Sequence, residues 1–261
     1  MAAFEDGVPC WVDASLPDVE AGKRFYGELF GWTFGAGDPA YGFSTQAFLD
    51  GRHVAALVPK TDGRMPTVWN VYLATRDATA TAARIQAAGG RLIVPPTPVG
   101  GLGTMATAMD PGNAVFGLWQ PGSHRGFEEQ GEPGSYLWTE LYTRDKEAVD
   151  AFYQEVFGYG SHDAGAGSGV DFAMWSPAGE AVGPRTAVCG RAVMDDSFPA
   201  ELPAHFLIYF AVEDCDETVA AARRRGGRTV GDPQDTPYGR FAMLVDDQGA
   251  DFAVIDTSKA A

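Results

Sequence analysis

The stretch Asp18-Val19-Glu20-Ala21-Gly22-Lys23-Arg24-Phe25-Tyr26-Gly27-Glu28-Leu29-Phe30-Gly31-Trp32 returns 127 residues later, without a gap, as Asp145-Lys146-Glu147-Ala148-Val149-Asp150-Ala151-Phe152-Tyr153-Gln154-Glu155-Val156-Phe157-Gly158-Tyr159. Asp, Glu-Ala, Phe-Tyr, Glu and Phe-Gly recur at matched positions, and each copy closes on an aromatic residue. A period this long marks a duplicated domain, because solenoid repeats run about 20–50 residues. One half of the chain can therefore be laid on the other, position by position.

Each half divides again. VWNVYLATRD (68–77) and HFLIYFAVED (205–214) read as strands ending in Asp, each followed by an Ala-rich helix and a Gly-Gly-Arg at 89–91 and 226–228. All four quarters share one plan: a strand, an Asp, a helix, then short strands. Opening strands are expected at 9–16, 68–75, 136–143 and 205–212, and Asp18, Asp77, Asp145 and Asp214 suit helix starts as N-caps or first-turn charges. Phe25, Leu29 and Phe30 share one face of the first helix, as do Phe152, Val156 and Phe157 in the third. The Gly pairs suit helix stops with a return to strand. Later strands are expected at 41–49, 53–58, 104–108, 114–119, 172–175, 240–245 and 251–255, set off by turns such as Asp110-Pro111-Gly112-Asn113 and Asp246-Asp247-Gln248-Gly249. The segment 123–134, rich in Gly, Pro and charge, reads as a linker between domains 1–122 and 135–261. The modules within them are 8–60, 66–121, 135–195 and 203–257. The loop 165–169 has no counterpart in the first half, where 35–42 is flanked by aromatics.

Composition narrows the function. A chain of 261 residues with 45% hydrophobic content fills two ordinary cores, and a net charge of −16 opposes a phosphate-binding surface, so nucleic acid is not an expected partner. Cys10, Cys189 and Cys215 are odd in number and widely spaced, which supports neither a zinc site nor a disulfide framework. No apolar run approaches the ~20 residues that span a bilayer, and no basic-then-apolar leader precedes the first strand. A cytoplasmic protein, monomer or homodimer, with no membrane partner is the expectation.

Four βαβββ quarters in two pairs, the FY-x-E-x-FG phrase and the DPGN/DDQG turn before a last strand resemble the vicinal oxygen chelate superfamily. That group includes glyoxalase I, bleomycin-resistance proteins and extradiol dioxygenases. The two-domain layout with DPGNAVFGLWQ is similar to a glyoxalase-like subgroup common in actinobacteria, some of it beside polyketide biosynthesis genes. The resemblance covers nearly the whole chain. It implies an α+β fold of two tandem glyoxalase-like domains whose sheets curl into ligand cups.

The family's metal enzymes carry a His seven residues before the Asp that ends each opening strand, and that rule lands here on Trp11, Asn70, Trp138 and Leu207. They also carry a Glu seven residues after the turn Asp, which lands on Gly117 and Ala253. A divalent ion wants imidazole nitrogens and carboxylates converging, so no metal and no cofactor are expected. The four histidines, His53, His124, His162 and His205, form no i,i+4 pair. Strand alternation puts Trp11, Asp13 and Ser15 on one face, with Asn70 and Tyr72 on the second strand, Tyr136, Trp138, Glu140 and Tyr142 on the third, and His205, Leu207 and Tyr209 on the fourth. Each cup then holds a Trp, a carboxylate and a Tyr. Asp13 and Glu140 are candidate bases, Tyr72 and Tyr209 candidate donors to an oxyanion. Trp11, Asn70, Trp119, Trp138, Leu207 and Gly117 are candidate ligand contacts, with Gly117 and Ala253 leaving space where a ligand Glu would stand.

The resulting expectation is a metal-independent protein that binds a small apolar or aromatic molecule. The alternatives are a metal-free isomerase, cyclase or hydroxylase-type enzyme on a polyketide-like carbonyl compound, a metal-dependent glyoxalase or dioxygenase with other ligands, and an interaction protein with filled cups.

Overall fold

The computed structural model describes residues 4–42, 44–165 and 171–260. The first quarter runs β1 (Pro9–Leu16), α1 (Val19–Phe30), β2 (Thr33–Phe34), β3 (Thr45–Leu49) and β4 (Arg52–Pro59). The second runs β5 (Val68–Ala74), α2 (Ala78–Ala87), β6 (Arg91–Val99), β7 (Gly103–Met109) and β8 (Val115–Pro121). The third is β9 (Tyr136–Thr143), α3 (Lys146–Phe157), β10 (Gly160–Asp163), β11 (Phe172–Ser176) and β12 (Cys189–Val193). The fourth is β13 (His205–Ala211), α4 (Cys215–Arg224), β14 (Arg228–Thr236), β15 (Gly239–Val245) and β16 (Asp251–Asp256). The fold is α+β, and each half contributes one eight-stranded sheet, ordered β2-β3-β4-β1-β5-β8-β7-β6 and β10-β11-β12-β9-β13-β16-β15-β14. In every quarter the opening strand pairs in parallel with the last strand, and the other pairs are antiparallel.

The expected N-caps are all present. Asp18, Asp77, Asp145 and Asp214 accept from the backbone N–H of Ala21, Ala80, Ala148 and Glu217 at 2.9–3.1 Å. Gly89 and Gly226 follow α2 and α4 at φ +90°, a left-handed conformation that stops a helix and suits glycine.

The structure corrects two sequence expectations. On α1 the buried residue beside Phe25 and Phe30 is Tyr26, while Leu29 sits half-buried at the margin of the apolar stripe. The strand expected at 41–49 is only Thr45–Leu49, preceded by a 3-10 turn at Pro39–Tyr41, and residue 43 lies outside the described residues. The strands to which the two Gly pairs return, β6 and β14, each run nine residues, through Pro95, Pro96 and Pro98 in one and Pro233 in the other. Both lie at sheet edges, where a missing N–H breaks no ladder. Of the loop 165–169, residues 166–169 lie outside the described residues.

The chain divides into two compact units, and neither is a sequence half. One comprises residues 1–11, 71–126 and 139–206; the other comprises 12–70, 127–138 and 207–261. Each takes one helix from each half: α2 packs with α3 in the first unit, α1 with α4 in the second. This explains the repeated Phe-Tyr phrase. In the second unit the Tyr26 hydroxyl donates to Asp246 Oδ2 at 2.8 Å, and Asp246 Oδ1 accepts from the N–H groups of Gln248 and Ala250. In the first unit the Tyr153 hydroxyl donates to Asp110 Oδ2 at 3.2 Å, and Asp110 Oδ1 accepts from Ala114 N–H. A helix of one half is thereby bonded to the turn of the other. Around Tyr26 stand Phe25, Phe30, Trp32, Trp69 and Phe252; around Tyr153 stand Phe116, Phe152, Phe157, Tyr159 and Trp175.

The part of the linker that belongs to the second unit, from residue 127, is a tied strap. Phe127 stacks on Tyr136 at 4.7 Å, and Trp32 donates its indole N–H to the Gly134 carbonyl at 2.6 Å. The Glu128 carboxylate accepts His53 N–H, Glu128 N–H donates to the His53 carbonyl, and Arg52 pairs with Glu129.

Candidate functional site

The predicted alternation holds wherever contacts test it. Trp69, Val71 and Leu73 are buried on the helix side of β5, and Trp69 donates its indole N–H to the Tyr26 hydroxyl at 2.9 Å. On the opposite face Asn70 reaches back to β1, its amide donating to Asp13 Oδ1 at 2.8 Å and Ser15 Oγ at 3.1 Å. Asp13, Ser15 and Asn70 form one polar group within the second unit.

In the first unit Trp11 meets the His124 ring edge-on at 4.4 Å, and Trp119 meets the same ring at 5.6 Å while donating its indole N–H to the His124 carbonyl. Trp11 is 5% exposed and Trp119 is 7% exposed, so their faces are already covered. Gly117 does not leave the expected space. A Cβ there would stand 2.2 Å from the Tyr72 ring, which occupies that volume. In the second unit Leu207 and Tyr209 are buried too, and Tyr209 packs beside Phe241 and pairs along the sheet with Ala253.

The second half places a different group in the first unit. The Tyr142 hydroxyl donates to Glu140 Oε2 at 3.1 Å. The Tyr142 ring lies parallel to His205 (5.3 Å, 6°) and tilted against Phe198 at 5.9 Å. His205 Nδ1 is 2.9 Å from the Pro203 carbonyl, which only accepts, so Nδ1 carries a hydrogen. Gly190, opposite Glu140 in the β9–β12 ladder, admits the Phe172 ring: a Cβ would meet Phe172 at 2.7 Å and Glu140 Cγ at 3.2 Å. Arg144, the residue after β9, donates to the Met194, Asp195 and Pro199 carbonyls and so fixes the loop that carries Phe198. That loop and Arg144 line a cavity of about 570 Å³, walled by Arg144, Asp196, Ser197, Phe198, Pro199 and Ala200. Glu140, Tyr142 and His205 are each half-buried rather than sealed.

Sequence alternation placed Tyr142 and His205 on this face but did not pair Glu140 with Tyr142, and it missed Phe198 and Arg144. The signal for the pairing was the i,i+2 spacing of Glu140 and Tyr142 on one strand. Phe198 lies in a loop of no regular pattern.

The residues at the family's metal positions do not fit a divalent ion. Trp11 is packed on His124, the Asn70 amide hydrogens are committed to Asp13 and Ser15, and Tyr72 fills the place of any side chain at Gly117. Among the described residues no group of three or more His, Cys, Asp or Glu side chains converges as an ion would require. The cysteines are no nucleophiles either: burial pushes the Cys189 thiol up to about 12 and Cys215 to about 11, and raises Cys10 as well.

Residues 11–118 match the family model of the glyoxalase/bleomycin resistance protein/dioxygenase superfamily, and residues 138–255 match that of the glyoxalase-like domain. The chain belongs to this superfamily. It is 38% identical over 275 residues to the anthracycline biosynthesis protein DauV of Streptomyces sp. (strain C5), covering 100% of this chain and 97% of that one. It is 35% identical over 262 residues to CFP32 of Mycobacterium tuberculosis, provisionally named a glyoxylase, covering 97% of this chain and 95% of that one. Among solved structures it is similar to the 2,3-dioxygenase LapB of Pseudomonas sp. KL28, with a TM-score of 0.64 at 13% identity, covering 97% of this chain and 93% of that one, which shows the shared fold. Among the described residues no helix is long and apolar enough to cross a membrane.

Proposed function

We propose that this protein binds a small, flat aromatic carbonyl compound without a metal ion, and that binding centres on the second half. The observation that carries this reading is Phe198, whose ring both lines the 570 Å³ cavity and packs on Tyr142, itself bonded to Glu140. Phe198, Pro199 and Ala200 supply apolar surface and Arg144, Asp196 and Ser197 supply polar groups, a combination that fits a flat polyketide-like ligand. The kinship with a protein named for anthracycline biosynthesis points to the same ligand class. Trp138 is half-buried on β9. The protein works as a monomer or homodimer, with no nucleic acid or membrane partner.

The test is titration with 1,8-dihydroxyanthraquinone, followed by its visible absorbance, before and after exhaustive dialysis against a chelator. The expected result is saturable binding that the chelator leaves unchanged and that Phe198→Ala weakens at least tenfold. Binding that appears only on adding zinc, nickel, manganese or iron, or that ignores Phe198→Ala, overturns the reading.

A further inference from the structure

The two halves differ where their first strands face away from the helices. Tyr142 and His205 of the second half stand where the first half has Ser15 and Val68, at offsets of 127 and 137 residues. The connection between the two quarters is also longer in the second half, 194–204 against 60–67, and the extra length carries Phe198. Asp13 bonds to the Asn70 amide, which has no acidic proton to pass on; Glu140 bonds to a phenol, which has one.

Resting on the binding site proposed above, we infer that Glu140 and Tyr142 form a metal-free proton-transfer pair that enolises a ketone bound at the second half, and that the first half does no chemistry. The step balances without a co-reactant. The Glu140 carboxylate takes a proton from the carbon next to the ligand's carbonyl, breaking that C–H bond, and its electron pair moves into the new C=C bond. The Tyr142 hydroxyl, no longer held by an ionised acceptor, gives its proton to the carbonyl oxygen. Glu140 then returns its proton to the Tyr142 oxygen along the 3.1 Å hydrogen bond, and both groups are restored. The net change moves one hydrogen from carbon to oxygen. His205 and Phe198 are positioning residues: His205 lies parallel to the phenol ring, anchored by its Nδ1 hydrogen on Pro203, and Phe198 is anchored by Arg144 through the loop backbone.

The experiment uses the full chain and 1-tetralone, a flat aromatic ketone with exchangeable α-hydrogens, in D2O near neutral pH. Hydrogen–deuterium exchange at the α-carbon is followed by proton NMR, and occupancy is read by displacement of 1,8-dihydroxyanthraquinone. The expected result is saturable exchange well above buffer. Glu140→Gln lowers it at least 100-fold and Tyr142→Phe at least 10-fold, each leaving tetralone affinity within about threefold. Asp13→Asn leaves exchange within threefold of the wild type. His205→Ala lowers the exchange rate at saturation, and His205→Phe, which keeps a stacked ring, restores it. Displacement without enzyme-dependent exchange overturns the proton-transfer pair and leaves the binding reading standing, as does exchange lost equally in Asp13→Asn. Failure of tetralone to displace the quinone, together with failure of the quinone to bind, overturns both.

Discussion

The two halves agree on the side that meets the helices and part company on the side that does not. On the helix side each supplies a Phe-Tyr pair, a capping Asp and a turn Asp, and each Tyr is bonded to the turn Asp of the other half. On the opposite side the first half presents Asp13, Ser15 and Asn70 tied together, with Trp11 and Trp119 packed on His124. The second presents Glu140 bonded to Tyr142, whose ring lies parallel to His205 and tilts against Phe198 of a cavity wall. The difference teaches that the copied surface is the one that holds the two copies together. A face whose partner is the other copy cannot change alone, whereas a face turned to a ligand can.

The agreement on the helix side is itself imperfect, and its largest expected effect is electrostatic. Burial raises the Asp110 carboxyl from 3.8 to about 6, against the opposing pull of backbone N–H groups and Tyr153. An acid that holds its proton more tightly when folded favours folding at low pH. Its contribution is complete below about pH 4 and is lost as pH rises toward 6, amounting to about 3 kcal/mol. Urea melts at about pH 4 and pH 6.5 should show this group's decline, and Asp110→Asn should flatten it. A slope that survives Asp110→Asn places its origin elsewhere.

Next comes the pair of tyrosines. Tyr26→Phe removes a hydrogen bond to Asp246 and leaves the buried Trp69 indole N–H without its acceptor; Tyr153→Phe removes one bond to Asp110. We expect a loss of about 2–3 kcal/mol for the first and about 1–2 kcal/mol for the second in denaturant melts. Equal losses would show that the Trp69 bond adds nothing. On the sheet side, Gly117→Ala forces a methyl into the Tyr72 ring and should cost about 1–3 kcal/mol. The matched change in the other half, Ala253→Gly, is smallest, at about 0.5–1 kcal/mol. A harmless Gly117→Ala would mean that the Tyr72 ring swings aside freely.

Much of this comparison was visible in the residues alone. The duplication, the Asp caps, the glycine stops and the alternation on β1, β5, β9 and β13 all depend on neighbours within one strand or helix, and these agree with the structure. What escaped was contact at long range. Tyr26 and Asp246 are 220 residues apart, and each had a local explanation, one as part of a helix and the other as part of a turn. The volume beside Gly117 looked empty because the sequence shows that a side chain is absent but not that Tyr72 fills the gap. Phe198 belongs to a loop whose position is fixed by Arg144 through backbone carbonyls, an arrangement that leaves no periodic trace.

Since every compact unit draws one quarter from each half of the chain, a gene severed between the codons for residues 123 and 134 yields two fragments that each lack the mate of both their helices. Produced together they are natural candidates for complementation, and the tandem protein is in effect a dimer whose subunits were joined by the ribosome.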